Sequence, residues 1–259
     1  VVSDQPLIVE LAQWFDTPPG QYVRRWEQRQ IDRMVENTFG YHAFQIGLVQ
    51  WDMLAANRVR HKGRAHVAAQ LADLGEAARS ITLVTDPQQL PFDAQSIDLL
   101  VLPHVLECAE DPHSILREAE RVLIPEGRLI VTGFNPWSLW GARERLPGLD
   151  LLLPTPAHMQ VSLTRLKDWF KLLSLDMDRG RFGCYAPLCQ TDKWLQRWSF
   201  LEAAGDRWWP VCGAVYAVSA VKRVVGATLV GPAWSRGKRQ RVPREATVAA
   251  SGARTARPH

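Results

Sequence analysis

The chain has 259 residues, 46% hydrophobic and 22% charged, a globular balance that excludes wholesale disorder and leaves enough apolar side chains for a sizeable core. No apolar run approaches the roughly 18 residues of a membrane helix, and the first residues, with Asp4 and Glu10 among apolar neighbours, lack the basic start and apolar block of a secretory leader. The net charge of +4 is uneven: from Pro232 onward seven basic residues face one acid, +6, which leaves −2 on residues 1–231. Four cysteines (Cys108, Cys184, Cys189, Cys212) are too few and too scattered for a disulfide framework, so a reducing, cytoplasmic setting is expected. Cys184 and Cys189 have no partner histidines nearby in sequence, so no metal site is expected. Eleven tryptophans are expected to be mostly structural.

Residues 1–20 read as an irregular arm closing on the turn cluster Thr17-Pro18-Pro19-Gly20. Tyr22, Trp26, Ile31, Met34 and Val35 recur near helical spacing and predict a helix over 21–37. A short apolar run at 43–47 reads as a strand ending in glycine, residues 64–70 as a weak strand and 80–85 as a better one. Residues 97–103 (IDLLVLP) are nearly all apolar, the mark of a strand buried on both faces. A helix over 112–123 follows, then the turn Pro125-Glu126-Gly127 and a second buried strand over 128–133. Strand, helix and strand with apolar strands predict parallel βαβ units. An irregular segment runs from Asn135 to about Pro156. Helices are then expected over 162–174 and 192–204, and strands over 175–183 and 213–221. Residues 232–259 read as a flexible basic tail after a domain over 21–231.

The block from Asp86 to Gly133 has a recognisable order. Asp86 precedes the step Leu90-Pro91-Phe92; Ile97-Asp98 opens a buried strand; Val105-Leu106-Glu107 turns; a helix ends in Glu118 to Leu123; and Ile124-Pro125-Glu126-Gly127 leads into the next strand. This combination resembles the class I S-adenosylmethionine-dependent methyltransferases of the type 11 group. The resemblance implies an α/β, Rossmann-like, seven-stranded, mostly parallel sheet with one reversed strand and flanking helices. It also implies S-adenosyl-L-methionine as cofactor and in-line methyl transfer to an acceptor, here expected to be a small or medium-sized molecule. Such transfer needs little from side chains beyond positioning.

Ligands of open α/β sheets bind beyond the carboxyl ends of the strands. Asp86 follows a strand, where the resemblance places an acid near adenine; the other reading is a simple Asp-Pro turn. Leu90 belongs to the same region. Pro103 and His104 end the next strand, at the position that the resemblance places under the methionine part of the cofactor, and His104 is either a general base or a histidine satisfied by backbone. Glu107 lines the site or caps the next helix. Asn135 and Trp137 fall at a strand end and are candidates for the acceptor pocket, or Trp137 simply anchors the segment that follows.

The family's acid and glycine-rich loop after the first strand are altered. Gln45 stands for the acid, Gly47 remains, and Val49 and Trp51 occupy later glycine positions. Gln70 is the nearest match to the ribose-binding acid. These departures keep open a degenerate, non-catalytic binding or partner module. The basic tail keeps open RNA as a partner and an RNA-directed methyltransferase.

Overall fold

The computed structural model describes residues 5–67, 82–146, 153–187, 197–198 and 200–223, all within the first of two compact units, Val1–Val224. In chain order they form helices α1 (Gln5–Trp14) and α2 (Pro18–Val35), then strands β1 (His42–Ile46), β2 (His61–His66), β3 (Leu83–Val84) and β4 (Ile97–Pro103). Helix α3 (Pro112–Val122), strand β5 (Leu123–Phe134), helices α4 (Leu139–Glu144) and α5 (Leu163–Leu172), strand β6 (Leu175–Gly183), helix α6 (Phe200–Trp208) and strand β7 (Val215–Lys222) complete them.

The strands make one sheet in the order β3-β2-β1-β4-β5-β7-β6. All neighbours pair in parallel except β7, which runs antiparallel to both β5 and β6. The α/β sheet with one reversed strand is therefore as the motif order implied. Side-chain alternation then builds two cores, one on each face. On β4, Leu99 and Val101 pack with α1 and α2 residues such as Leu11, Val23 and Ile31. Leu100 and Leu102 pack with Leu116 and Ala119 of α3 and Leu166 and Phe170 of α5. Burial on both faces is why β4 reads as a continuous apolar run.

Several elements differ from the sequence expectation. The expected irregular arm contains α1, because Leu11 and Phe15 each lose all exposure against the sheet, and tertiary burial stabilises a short helix that has little stability alone. Helix α2 starts at Pro18: Thr17 caps it, its Oγ accepting from the Gly20 N–H at 3.3 Å, and the prolines occupy the first positions, where no N–H is needed. A Cβ on Gly20 would overlap the backbone of Trp14 and Phe15, so glycine permits the tight α1–α2 corner. Strand β5 begins at Leu123, before the Pro-Glu-Gly turn, and the segment after Asn135 contains α4. Among the described tryptophans, Trp26, Trp51 and Trp140 are buried, Trp14 and Trp169 pack half-buried against the cores, and Trp137, Trp208 and Trp209 are exposed. Gln70, Cys189, the basic tail and much of the helix expected over 192–204 lie outside the described residues. No helix among the described residues is long and apolar enough to cross a membrane.

Gly183, at the end of β6, lies against the indole of Trp26 so closely that a Cβ would overlap the ring. Gly183→Ala is expected to cost about 1–3 kcal/mol through overpacking. The check is a lower urea midpoint with an unchanged slope.

Candidate functional site

The carboxyl ends of β1, β4 and β5 converge on one edge of the sheet. Their connections turn sharply there. Gly47 has φ +82° and Leu48 φ 45° just after β1, and His104 has φ 53° just after β4. Two non-glycine residues in the left-handed region mark backbone held by its surroundings.

After β1, the Gln45 side chain organises the loop. Its Nε2 lies 3.1 Å from the carbonyl of Gly47, 3.0 Å from that of Leu48 and 3.0 Å from that of Trp51, while its Oε1 accepts from the Met53 N–H at 3.0 Å. Gln45 is fully buried. A carboxylate could not donate to those carbonyls, so the amide in place of the family's acid has a structural reason. The loop side chains Leu48, Val49, Trp51 and Met53 are also buried. Phe15 stacks edge-on against Trp51 at 4.3 Å, and the Arg24 guanidinium lies 4.7 Å over the Trp51 ring. A Cβ on Gly47 would come 2.9 Å from Val105 Cγ2, so protein already fills that side of the glycine.

After β4, His104 lies between two carboxylates. Its Nε2 is 2.7 Å from Glu27 Oε1 on α2, and its Nδ1 is 2.9 Å from Glu107 Oε2 in the short 3-10 turn Val105–Cys108. All three side chains have no solvent exposure. Glu107 Oε1 accepts from the Phe134 N–H, which joins the group to β5. Phe134 and Phe15 cover the imidazole, at 4.5 and 5.3 Å between centroids. Burial alone would lower the His104 pKa, but Glu27 and Glu107 outweigh it and push it up to about 10. The histidine is therefore an imidazolium at neutral pH, with both N–H groups donated. That arrangement has no free nitrogen to take a proton from a substrate. Burial pushes the Glu107 carboxyl up, against the pull of His104. Glu27 Oε2 and the Tyr216 hydroxyl are buried without hydrogen-bond partners.

The other predicted site residues are spread along the same edge. Asp86 follows β3, is exposed, and accepts the Gln88 N–H on Oδ1 at 2.9 Å, an Asx turn that leaves the carboxylate facing solvent. Leu90 is buried, its N–H donated to Glu118 Oε1 at 2.9 Å and its carbonyl held by Arg121. Pro103 ends β4 opposite Thr132. Asn135 is buried and ties β5 to the chain before β7, donating to the carbonyls of Val211 and Gly213 at 2.8 and 2.9 Å and accepting from Trp137 N–H. Its amide is thus engaged within the protein. Trp137 is 69% exposed beneath the Arg145 guanidinium.

Two residues were missed in the sequence. Glu27 lies on the stripe of Val23, Ile31 and Met34, and a carboxylate on an apolar helix face was the available signal. His66 is buried at the end of β2 with an unpartnered Nδ1, and burial lowers its pKa. No cluster of metal-ligating side chains occurs among the described residues.

Residues 54–131 match the family described as a methyltransferase domain. The chain is 34% identical over 165 residues to the uncharacterized protein YafS of Escherichia coli (strain K12), covering 63% of this chain and 65% of that protein. The chain thus spans just under two-thirds of this curated relative. Among solved structures, a chain from the Haloferax volcanii complex containing the Trm112 methyltransferase activator matches with a TM-score of 0.57 at 18% identity, over 84% of this chain and 98% of that one. An S-adenosylmethionine-dependent methyltransferase from Mesorhizobium loti matches with a TM-score of 0.51 at 17% identity, over 74% of this chain and 96% of that one. The chain shares the class I methyltransferase fold of these solved structures, and its residues 54–131 resemble a methyltransferase domain, a family whose methyl donor is S-adenosylmethionine.

The buried triad makes stability fall at alkaline pH. A histidine pKa raised from 6.5 to about 10 contributes stability that is fully present below about pH 6.5 and is lost as pH rises through about 10. His104→Gln is expected to cost about 3–5 kcal/mol by leaving buried carboxylates without their cation, and to flatten the alkaline limb of a melting-temperature profile between pH 7 and 10.5.

Proposed function

We propose that the chain is an S-adenosylmethionine-dependent methyltransferase acting on a small or medium-sized acceptor. The observation that carries this reading is Asp86. Its exposed carboxylate follows β3 on the ligand-binding edge of a sheet ordered β3-β2-β1-β4-β5-β7-β6, where it can accept a hydrogen bond from an adenine amino group. Buried Leu90, held to α3 through Glu118, gives that end an apolar wall. These residues fit an adenosine.

The opposite end fits the cofactor less well. Gln45 carries no charge to meet an ammonium group, and its hydrogen-bonding atoms are engaged with the loop backbone. Phe15 and Trp51 fill the space beside it. The chemistry supplied by the bound cofactor is a methyl group on an already activated sulfonium. The protein's share is then to hold the acceptor in line and exclude water. His104 belongs to the framework beneath this edge and acts as a positioning residue. It orders the β4 turn by bridging Glu27 and Glu107.

The closed Gln45 loop favours a second reading, a non-catalytic module that keeps the fold for binding or partnership. Calorimetry with S-adenosylmethionine and S-adenosylhomocysteine separates the two. On the first reading the protein binds in the micromolar range, Asp86→Ala weakens binding about tenfold with the melting temperature of the free protein retained, and ligand at one hundred times Kd adds about 2.7 kcal/mol of stability. A folded protein that ignores both compounds at millimolar concentration overturns the enzyme reading and leaves the second.

A further inference from the structure

A separate cleft opens between α2, β6 and α6. Its volume is 530 Å³, within the ~300–1,000 Å³ range of small-molecule sites. Aromatic side chains form its walls. Trp26 packs against Gly183, and Phe182 and Tyr185 flank it from the chain on either side of that glycine. Tyr185 is held in place by its hydroxyl, which donates to the Pro210 carbonyl at 2.9 Å.

Three arginines border the same cleft: Arg29 and Arg33, one helical turn apart on α2, and Arg181 on β6. All three are exposed, and none is in a salt bridge among the described residues. Only the Arg29 Nε is engaged, donating to the Arg25 carbonyl at 3.1 Å. Like charges four residues apart on a helix repel, so this pairing destabilises α2 unless an anion lies between them. Two acids also border the cleft. Glu202 is already committed, accepting from the Tyr22 hydroxyl and from the Tyr185 N–H. Asp206 remains exposed, so the guanidinium groups outnumber the acids by one.

Guanidinium groups bind phosphate and carboxylate through paired N–H donors, and aromatic walls bind flat apolar rings. We propose that this cleft binds a small planar anion, an aromatic ring carrying a phosphate or carboxylate group. The ring lies against Phe182 and Tyr22, the half-buried aromatic side chains of the lining, and the anion meets Arg33 and Arg181. An extended polyanion suits the setting less, because Glu202 and Asp206 border the same ligand-sized volume and would repel a run of phosphates. The site stands independently of methyl transfer.

The test is calorimetric titration of the full chain, without cofactor, using phenyl phosphate, benzoate, inorganic phosphate and phenol. Phenyl phosphate or benzoate is expected to bind at least about tenfold more tightly than inorganic phosphate and phenol, because only the aromatic anions engage both features. The double variant Arg33→Ala/Arg181→Ala should weaken that binding by about tenfold or more and keep its melting temperature, since both side chains are exposed. The proposal is overturned if the aromatic anions bind no better than inorganic phosphate, if nothing binds at millimolar concentration, or if the double variant binds undiminished. It is also overturned if a single-stranded RNA oligomer displaces phenyl phosphate and loses as much affinity on Arg25→Ala as on Arg33→Ala. That result would make the arginine row of α2 a polyanion surface.

Discussion

The framework depends on one buried charge arrangement, an imidazolium held between two carboxylates with no solvent exposure. Glu27 comes from α2, His104 from the end of β4, and Glu107 from the turn beyond it and the Phe134 N–H of β5. Moving three charges out of water costs several kcal/mol per ion, and close pairing recovers that cost only when the geometry is held. The surroundings supply the hold. Phe15 and Phe134 cover the ring, and the left-handed backbone at His104 aims it at both acids. Any shift of α2 against the sheet separates Glu27 from its partner, so α2 and the carboxyl end of β4 are fixed relative to each other.

That coupling explains the first loop. With α1 against the turn after β4 and α2 against β5 and β7, Phe15 meets Trp51 in the loop beyond β1, and the chain there follows a path stapled by the Gln45 amide. A neutral side chain with donors and an acceptor suits a dry loop whose carbonyls and N–H would otherwise lack partners. Along the same edge, Asp86 keeps an exposed carboxylate on a simple turn. The two ends of the edge therefore differ in physical character: one dry and filled, the other polar and open. The cleft beside α2 adds a third environment, in which the face of the helix opposite Glu27 turns its arginines outward.

The strands and helices from 97 to 134 were legible because local rules and global fold agree there. The apolar runs match double-sided burial, and Pro112 begins α3 under the Asp111 cap. Helix α1 was not legible as a helix, since its stability comes from Leu11 and Phe15 meeting the sheet. Among site residues, the position of Asp86 after a strand could be read directly. The engagement of Asn135 with Val211 and Gly213 could not, because the partners are 76 and 78 residues away.

Residue order alone therefore established an α/β chain with parallel buried strands, its resemblance to methyltransferases, and the loss of the usual glycine-rich loop. Periodicity and short motifs are local properties and survive without coordinates. The roles of charged and polar side chains were settled only by the tertiary structure. Glu27 and His104 are 77 residues apart and read separately as a helix residue and a general-base candidate. Brought within 2.7 Å in a buried interior, they become an ion pair, because exclusion from bulk solvent and proximity decide ionisation, and neither is written in a residue's neighbours along the chain.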